Sequence, residues 1–457
     1  MPLKTFCFIL IFILLDFAGA EISTTFYRNN PQLTGELMGS ADVANMAPAW
    51  QVNLSLTGSD GNLAPMVAQG RIYYAWNGNA VCRDAFTGNE IWSINNSLIR
   101  MNVLNADYKY TPQPQNAAVV SKYVLLPTTD GKIFALDTAD GKELWVYESK
   151  GFITNPTISH DTVYFTDSTG IVALSPYTGQ EIWRKMVVGK LPSKDAGVVV
   201  ADGHVYYGTI DGYVIKVNMT SHEVVWNKPV WSWGVDSVWN DGYKLWFKTH
   251  FNGTFCYSDG YIYATFTAHY YAISTMSGTV RMDAQTGDIV KESSSLTGFT
   301  WCGIQIKGNT AILGGAHGKE EGGLSHEALK QKWNWNGKRD NYIYGGITIV
   351  GTQAYYGSWG TGPLRGIDVE TGNLDQEISS FNRSNRAPSF YFPDNTEDVY
   401  AYFADNTGLN AVKGTRSGDV NIKSIRIIEK SDGLFIFPNP VRSNGFINIG
   451  FTEPAGT

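Results

Sequence analysis

The chain has 457 residues, 43% of them hydrophobic and 17% charged, with a formal net charge of −7. This balance excludes a disordered chain, and the acidic charge without any long Lys or Arg run argues against a nucleic-acid partner. Fourteen Trp, 25 Tyr and 48 Gly point to β structure, because aromatics suit strands and glycine suits turns.

The first 20 residues read as a secretory signal peptide. Lys4 precedes an apolar stretch from Phe6 to Leu15, and Ala18-Gly19-Ala20 supplies small residues for cleavage, leaving Glu21 first. The apolar run is too short for a membrane span of ~20 residues, and no other stretch is long enough. Cys7 sits inside the apolar run, unlike the cysteine of a lipoprotein signal. Processing would leave Cys82, Cys256 and Cys302. Three allow at most one disulfide, their spacing suits no zinc site, and buried structural cysteines are the expectation. Residues 21–47 read as a lead-in.

From there the chain repeats itself. Asp130–Trp145 (DGKIFALDTADGKELW) recurs in weaker form at Gly170–Trp183 and at Asp211–Trp226. An earlier copy closes at Asp84–Trp92, and later ones carry Arg281–Gly287 and Gly366–Gly372. Each reads as a hairpin: an alternating strand, an Asp-x-x-(Thr/Asp)-Gly reversal, and a second strand ending in Trp. The Asp carboxylate can accept from backbone amides ahead of it, and Gly accepts the positive φ that completes the turn. A further hairpin lies upstream of each, as at Gly70–Ala75, Lys122–Leu126, Asp161–Phe165, Gly203–Tyr207, Gly260–Ala264 and Gln353–Gly357. Four strands per unit make a propeller blade. Turn positions 137, 175 and 218 give spacings of 38 and 43 residues, near the ~40–45 of such blades.

The fold expected is therefore all-β, an eight-bladed propeller of four-stranded antiparallel blades over 48–415, with seven blades as the alternative count. A degraded blade is expected from Trp301 and Ile304–Leu313, and a last one from Asp398–Phe403 and Gly408–Val412. Ala49–Leu54 would complete that last blade and leave no open sheet edge. Two insertions interrupt the pattern. Residues 227–252 hold Trp231, Trp233, Trp239 and Trp246, and Ser325–Gln331 reads as a short helix capped by Ser325. Long insertions of this kind tend to be surface and functional.

No motif designates a catalytic residue, a metal-ligand set or a cofactor-binding residue. His250, His269, His317 and His326 lack metal-ligand spacing; Gly314–Gly318 lacks the Gly-Lys-Ser/Thr ending of a phosphate loop. Cys256–Gly260 lacks the first glycine of a nucleophile elbow.

The repeat resembles that of the PQQ-type propellers, with its Ala-Leu-Asp-x-x-(Thr/Asp)-Gly-x-x-(Leu/Ile)-Trp core. Residues 135–145 match almost throughout, and 173–183 match apart from Ser175. The resemblance implies either a quinoprotein dehydrogenase or a non-catalytic, partner-binding protein like the outer-membrane assembly lipoprotein. The adjacent cysteine pair on which the dehydrogenases stack their cofactor is missing, as are recognisable calcium ligands. Trp231 or Trp233 as a stacking face, and Asp236 as general base, could be placed by analogy alone; packing on the propeller is the plainer role. The lipid-bearing cysteine of the assembly protein is missing too. Gly433–Val441 with Gly445–Phe451 is similar to the start of a type IX secretion C-terminal sorting domain, or of related immunoglobulin-like modules. On that resemblance 433–457 would be the start of an incomplete Ig-like β domain, and 416–432 a linker.

The resulting expectation is an exported, non-catalytic binding or scaffold propeller, extracellular or at the cell surface, alternatively periplasmic. Its loops and central funnel would hold a protein or glycan partner by exposed Trp and Tyr. The alternative is a quinoprotein oxidoreductase acting on alcohols or sugars, and only that reading calls for PQQ with calcium.

Overall fold

The computed structural model describes residues 22–24, 28–54, 65–76, 79–95, 118–120, 122–128, 130–193, 196–230, 237–240, 243–246, 248–251, 255–270, 274–293, 303–313, 322–325, 329, 331–334, 346–357, 363–378, 387–405, 407–417, 426–430 and 433–437. Every element within them is a strand. Short Gly- and Asp-containing turns join runs of Val, Ile, Tyr and Phe, so consecutive strands pair antiparallel in the order of the chain.

The first blade is Met66–Ala68, Arg71–Trp76, Asn79–Asp84 and Glu90–Asn95. The second runs from Ala118–Val120 to Glu143–Glu148, the third from Thr157–Ser159 to Glu181–Lys185, and the fourth from Val198–Ala201 to Val224–Pro229. The fifth, from Cys256–Ser258 to Ile289–Ser293, has a long second strand, Tyr261–Tyr270, that also pairs with Lys248–Phe251. The sixth spans Ile304–Lys307 to Gln331–Asn334, and the seventh Thr348–Val350 to Leu374–Ile378. One further sheet joins the two ends of the chain: Ser389–Phe392, Asp398–Ala404 and Gly408–Ser417 pair in turn, and Gly408–Ser417 then pairs with Asp42–Asn53. Among the described residues there are thus seven blades, each from one contiguous stretch, the alternative count and not the eight expected, because the remaining sheet is a composite of the two ends of the repeat region that closes the ring.

The cores lie between neighbouring sheets. Leu125 and Ile133 of the second blade pack with Val163 and Phe165 of the third. Val350 and Tyr355 of the seventh pack with Phe390 and Val412 of the closing sheet, which in turn places Tyr402 and Leu409 against Val67 and Ile72 of the first. The wheel is closed by apolar contact all the way round.

A second contact fixes each junction. In the third-to-fourth-strand turn, the Asp84 carboxylate accepts the amides of Phe86 and Thr87, and Gly88 N–H donates to the Asp84 carbonyl at 2.9 Å. Asp137, Asp283 and Asp368 do the same in their blades, with Asn218 as a variant. A one-residue bulge in the fourth strand then leaves an aliphatic residue facing solvent (Ile91, Leu144, Ile182, Val225) and turns the next, the tryptophan, inward. That indole lies on the turn glycine of the following blade. Its Nε1–H donates to the carbonyl just after the turn aspartate or its equivalent: Trp50 to Ala85, Trp92 to Thr138, Trp145 to Pro176, Trp226 to Ala284 and Trp333 to Val369, at 3.0–3.2 Å. Trp183 stacks instead on His222, 4.7 Å between centroids, at the glycine position of the fourth blade. Two junctions depart together from the pattern. Lys291 stands where the fifth blade would have its tryptophan, and Leu329 stands at the glycine position of the sixth, buried with φ 49°. Gln376 replaces the indole of the seventh blade and donates to the Tyr355 hydroxyl at 2.8 Å.

The helix expected at Ser325–Gln331 is contradicted at both of its ends. Gly322–Ser325 and Gln331–Asn334 are the third and fourth strands of the sixth blade, and residues 326–328 and 330 lie outside the described residues. Ser325 occupies the turn-aspartate position, which is why it looked like a helix cap. Arg426–Lys430 and Gly433–Phe437 form a separate hairpin, so a strand lies within the expected linker 416–432. Residues 1–20 and 438–457, with the expected signal peptide and most of the sorting-domain start, lie outside the described residues.

The glycine requirement at these junctions is testable. Gly141 has φ +75°, and a Cβ there would sit 2.7 Å from Trp92 Cε3; Gly203 has φ +72° with nothing within 4 Å. Gly203→Ala should cost about 1–2 kcal/mol of backbone strain, and Gly141→Ala about 1–3 kcal/mol more from overpacking. Equilibrium urea unfolding checks this; equal losses would show that the indole seat adds nothing.

Candidate interaction surface

The connection between the third and fourth blades carries the most exposed apolar side chains outside the fourth strands. Met186, Val188 and Leu191 lie on it, joined by Ile210 from the turn between the second and third strands of the fourth blade. Val188 is 97% exposed. An aliphatic side chain fully in water inside an otherwise well-packed fold is a candidate contact surface.

The loop is held rigidly beneath that face. Ile210 N–H donates to the Leu191 carbonyl at 2.9 Å, and Ser193 N–H to the Gly208 carbonyl at 2.9 Å. Lys190 closes a turn onto the Val187 carbonyl, pairs with Asp211 at 2.5 Å, and lies 3.1 Å from the centroid of the Tyr213 ring. Such partly exposed pairs contribute only ~0–1 kcal/mol each, so their role is orientation more than stability.

Just before the loop sits a buried ion pair. Asp167 is fully buried and meets Arg184 at 2.7 Å; the Arg184 guanidinium also donates to the Tyr147 hydroxyl at 2.8 Å and to Glu181 at 3.0 Å. Burial pushes the Asp167 carboxyl up, but bonds from Thr169 and Arg184 outweigh it and hold the group below its ordinary value. Burial, with the Glu181 contact, pushes the Tyr147 phenol up to about 12. The cluster locks the second blade to the third where the loop begins.

The axis is the second place a ligand could be sought. The first strands of the blades crowd around it and touch one another. The space inside them is occupied by the lead-in. Ile22–Ser23 pairs with Ser389–Phe392, and Val67 N–H donates to the Thr24 carbonyl at 2.9 Å. The carbonyls of Pro31, Gln32, Thr34 and Gly35 then accept from Val200, Tyr257, Ile306 and Ile349 in turn. Glu36–Leu37 runs parallel to Ile349–Val350. The funnel expected to hold a partner or glycan thus holds residues 22–24 and 28–37. They fill it because the inner edge of each first strand presents backbone donors that need partners.

The residues singled out in the sequence are dispersed. Trp231, Trp233 and Asp236 lie outside the described residues, as do His317, His326 and Cys302. Trp239 and Trp246 belong to a separate hairpin, Ser237–Asn240 with Tyr243–Trp246; His250 and His269 lie on paired strands of the fifth sheet. Among the described residues no three His, Cys, Asp or Glu gather as a metal site. Cys82 and Cys256 are free and buried in different blades, and burial pushes both thiols up to about 12, far from a reactive thiolate. Neither the loop patch nor the lead-in was singled out. The run Met186-Val187-Val188 was the available signal for the first, being apolar where a connection should be polar.

These features belong to a known class of repeat propeller. The family model described as outer membrane protein assembly factor BamB, built on the PQQ-type repeat, matches residues 35–291 and again 167–401. The chain belongs to this PQQ-repeat propeller family. A curated relative, the outer membrane protein assembly factor BamB of Nitrosomonas eutropha, is 25% identical over 225 residues. That match covers 48% of this chain, which thereby spans only 51% of the relative's length. Among solved structures, BamB from Moraxella catarrhalis aligns over 82% of this chain and 99% of its own, with TM-score 0.54 and 17% identity. The quinohemoprotein alcohol dehydrogenase from Comamonas testosteroni aligns over 90% and 83%, with TM-score 0.60 and 14% identity. Both share the fold, and a fold held in common by an assembly factor and a dehydrogenase does not choose between their functions.

Because the folded carboxyl of Asp167 is held below its unfolded value, its contribution is present above the unfolded pKa of about 3.9 and is lost as pH falls through the folded one. Asp167→Asn should destabilise at pH 7 by about 2–3 kcal/mol, less than the ~3–5 kcal/mol of breaking a fully buried pair because Arg184 keeps Glu181. The gap between variant and parent should narrow below about pH 4, measured by urea unfolding across pH; a constant gap would contradict the assignment.

Proposed function

We propose that the chain is a non-catalytic binding propeller of the bacterial cell envelope or surface that engages a partner protein through the loop face of its third and fourth blades. The observation that carries this reading is the exposed apolar set Met186, Val188, Leu191 and Ile210, mounted on a loop fixed by Lys190–Asp211. A few aliphatic side chains flanked by the Lys190–Asp211 pair match the apolar centre and charged rim of a protein interface better than a sugar-stacking platform. Kinship with an outer membrane protein assembly factor supports a protein partner over a glycan, and supports an exported location. Among the described residues no helix is long and apolar enough to cross a membrane. The similarity of Gly433–Val441 to a sorting-domain start favours retention at the surface.

The quinoprotein alternative asks for a cofactor near the axis. The residues there do not suit a quinone: first-strand amides of the first, fourth, fifth, sixth and seventh blades are taken by the lead-in's carbonyls, and the two described cysteines are buried apart in inter-blade cores.

Two measurements test the proposal. Val188→Asp combined with Leu191→Asp should abolish capture of the partner from envelope extracts while leaving Tm within a degree or two, since both side chains face water. Undiminished capture would remove this face from consideration. Titration of the full chain with PQQ and Ca²⁺, followed by absorbance and dye-linked alcohol oxidation, should show no stoichiometric binding. Saturable binding with turnover would reverse the assignment.

A further inference from the structure

The lead-in contacts the ring as a bound peptide contacts a receptor. A series of its chain-to-ring bonds is main-chain: carbonyls of Thr24, Pro31, Gln32, Thr34 and Gly35 accept from Val67, Val200, Tyr257, Ile306 and Ile349 at 2.8–2.9 Å. Each donor belongs to the first strand of a different blade. Strand addition to sheet edges occurs at Ile22–Ser23 and Glu36–Leu37, and the turned stretch of residues 28–35 gives single carbonyl bonds to successive first strands. Main-chain bonds give adhesion, and pockets for particular side chains give register.

Those pockets are visible. Leu33 is fully buried in the core shared by the fourth, fifth and sixth blades, beside Tyr263 and Ile304. Asn30, 3% exposed, accepts the Thr34 amide and donates to the Thr34 hydroxyl and the Glu36 carbonyl, both at 2.7 Å. Arg28, 7% exposed, donates to the carbonyls of Leu33 and of Ile304 on the sixth blade at 3.0 and 2.7 Å. Glu36 pairs with Lys307 of the sixth blade. The segment holds φ +61° at Arg28, +65° at Asn29 and +55° at Leu33, a fold too unfavourable for L-residues to persist without the ring around it.

We propose that the axial surface of this propeller is a peptide-docking site, filled in cis by residues 22–24 and 28–37. The ligand class is a turned segment with a leucine anchor, preceded by an asparagine that bonds its own backbone. The site is independent of the loop face on the third and fourth blades and stands whether or not that face binds a protein.

A protease site inserted between Met38 and Gly39 tests this, because the ring folds with the segment attached and the segment is then cut free. Met38 is 45% exposed, so the cut is accessible. The cut segment should co-elute with the ring on size exclusion. Tm of the cut protein should fall on dilution and rise again with a synthetic peptide of residues 21–38, and a Leu33→Asp version should bind at least tenfold more weakly. Loss of the segment with Tm unchanged, or a peptide without effect, would overturn the proposal. If the insertion prevents folding, limited trypsinolysis of the full chain decides. Arg28 should resist cleavage in the parent and become susceptible in Leu33→Asp. Cleavage at Arg28 in the parent as fast as at an exposed lysine would overturn it equally.

Discussion

The constraint on which this wheel depends is the seat of one blade's indole on the turn glycine of the next. A four-stranded blade buries neither of its faces alone, so each sheet needs a neighbour on both sides. Apolar packing supplies the attraction, but it is non-directional and would tolerate sliding. The indole removes that freedom: its ring lies on a residue that turns at positive φ, glycine at five junctions and His222 at one, and at the glycine junctions its N–H reaches one carbonyl. Bulge, aspartate turn, glycine and tryptophan are therefore a single device repeated around the ring. The pair Lys291 and Leu329 supports this from the other side, since where the indole is missing the glycine is missing too, and a leucine fills the space.

Closure is accomplished twice by the same part of the chain. Asp42–Asn53 supplies the outer strand of the composite sheet and carries Trp50 onto Gly88. Just before it, residues 22–24 and 28–37 give carbonyls to the first strands of the first, fourth, fifth, sixth and seventh blades. One continuous segment thus fastens the wheel at its rim and at its hub. The consequence for function is that the hub is protein, and the remaining surface with the character of an interface is on the loops. A dehydrogenase and an assembly factor can share this wheel because it is scaffolding to both.

The wheel was legible in the sequence because its device is local. Aspartate, glycine and tryptophan stand within nine residues of each other in Asp84–Trp92 and Asp137–Trp145, and the spacing of successive copies gives the blade. What failed was also local in cause. Ser325 in the aspartate position, followed by His326-Glu327-Ala328-Leu329, has the composition of a capped helix, and only pairing with Thr310–Leu313 places Ser325 in a strand. The hub was illegible for a different reason. Residues 22–24 and 28–37 bind through backbone carbonyls, which leave no trace in side-chain pattern, and through contacts hundreds of residues away, such as Arg28 to Ile304. The loop face left only a faint mark, a short apolar run in a connection.

Hydrogen–deuterium exchange on the full chain tests the central claim, that the hub is closed by the chain's own lead-in. The amides of Val67, Val200, Tyr257, Ile306 and Ile349 all donate to carbonyls of that segment. The account predicts that peptides spanning these first strands are protected as strongly as the second and third strands of the same blades, opening only with the whole ring. Exchange of those amides at the rate of exposed loops, with the rest of each blade still protected, would contradict it.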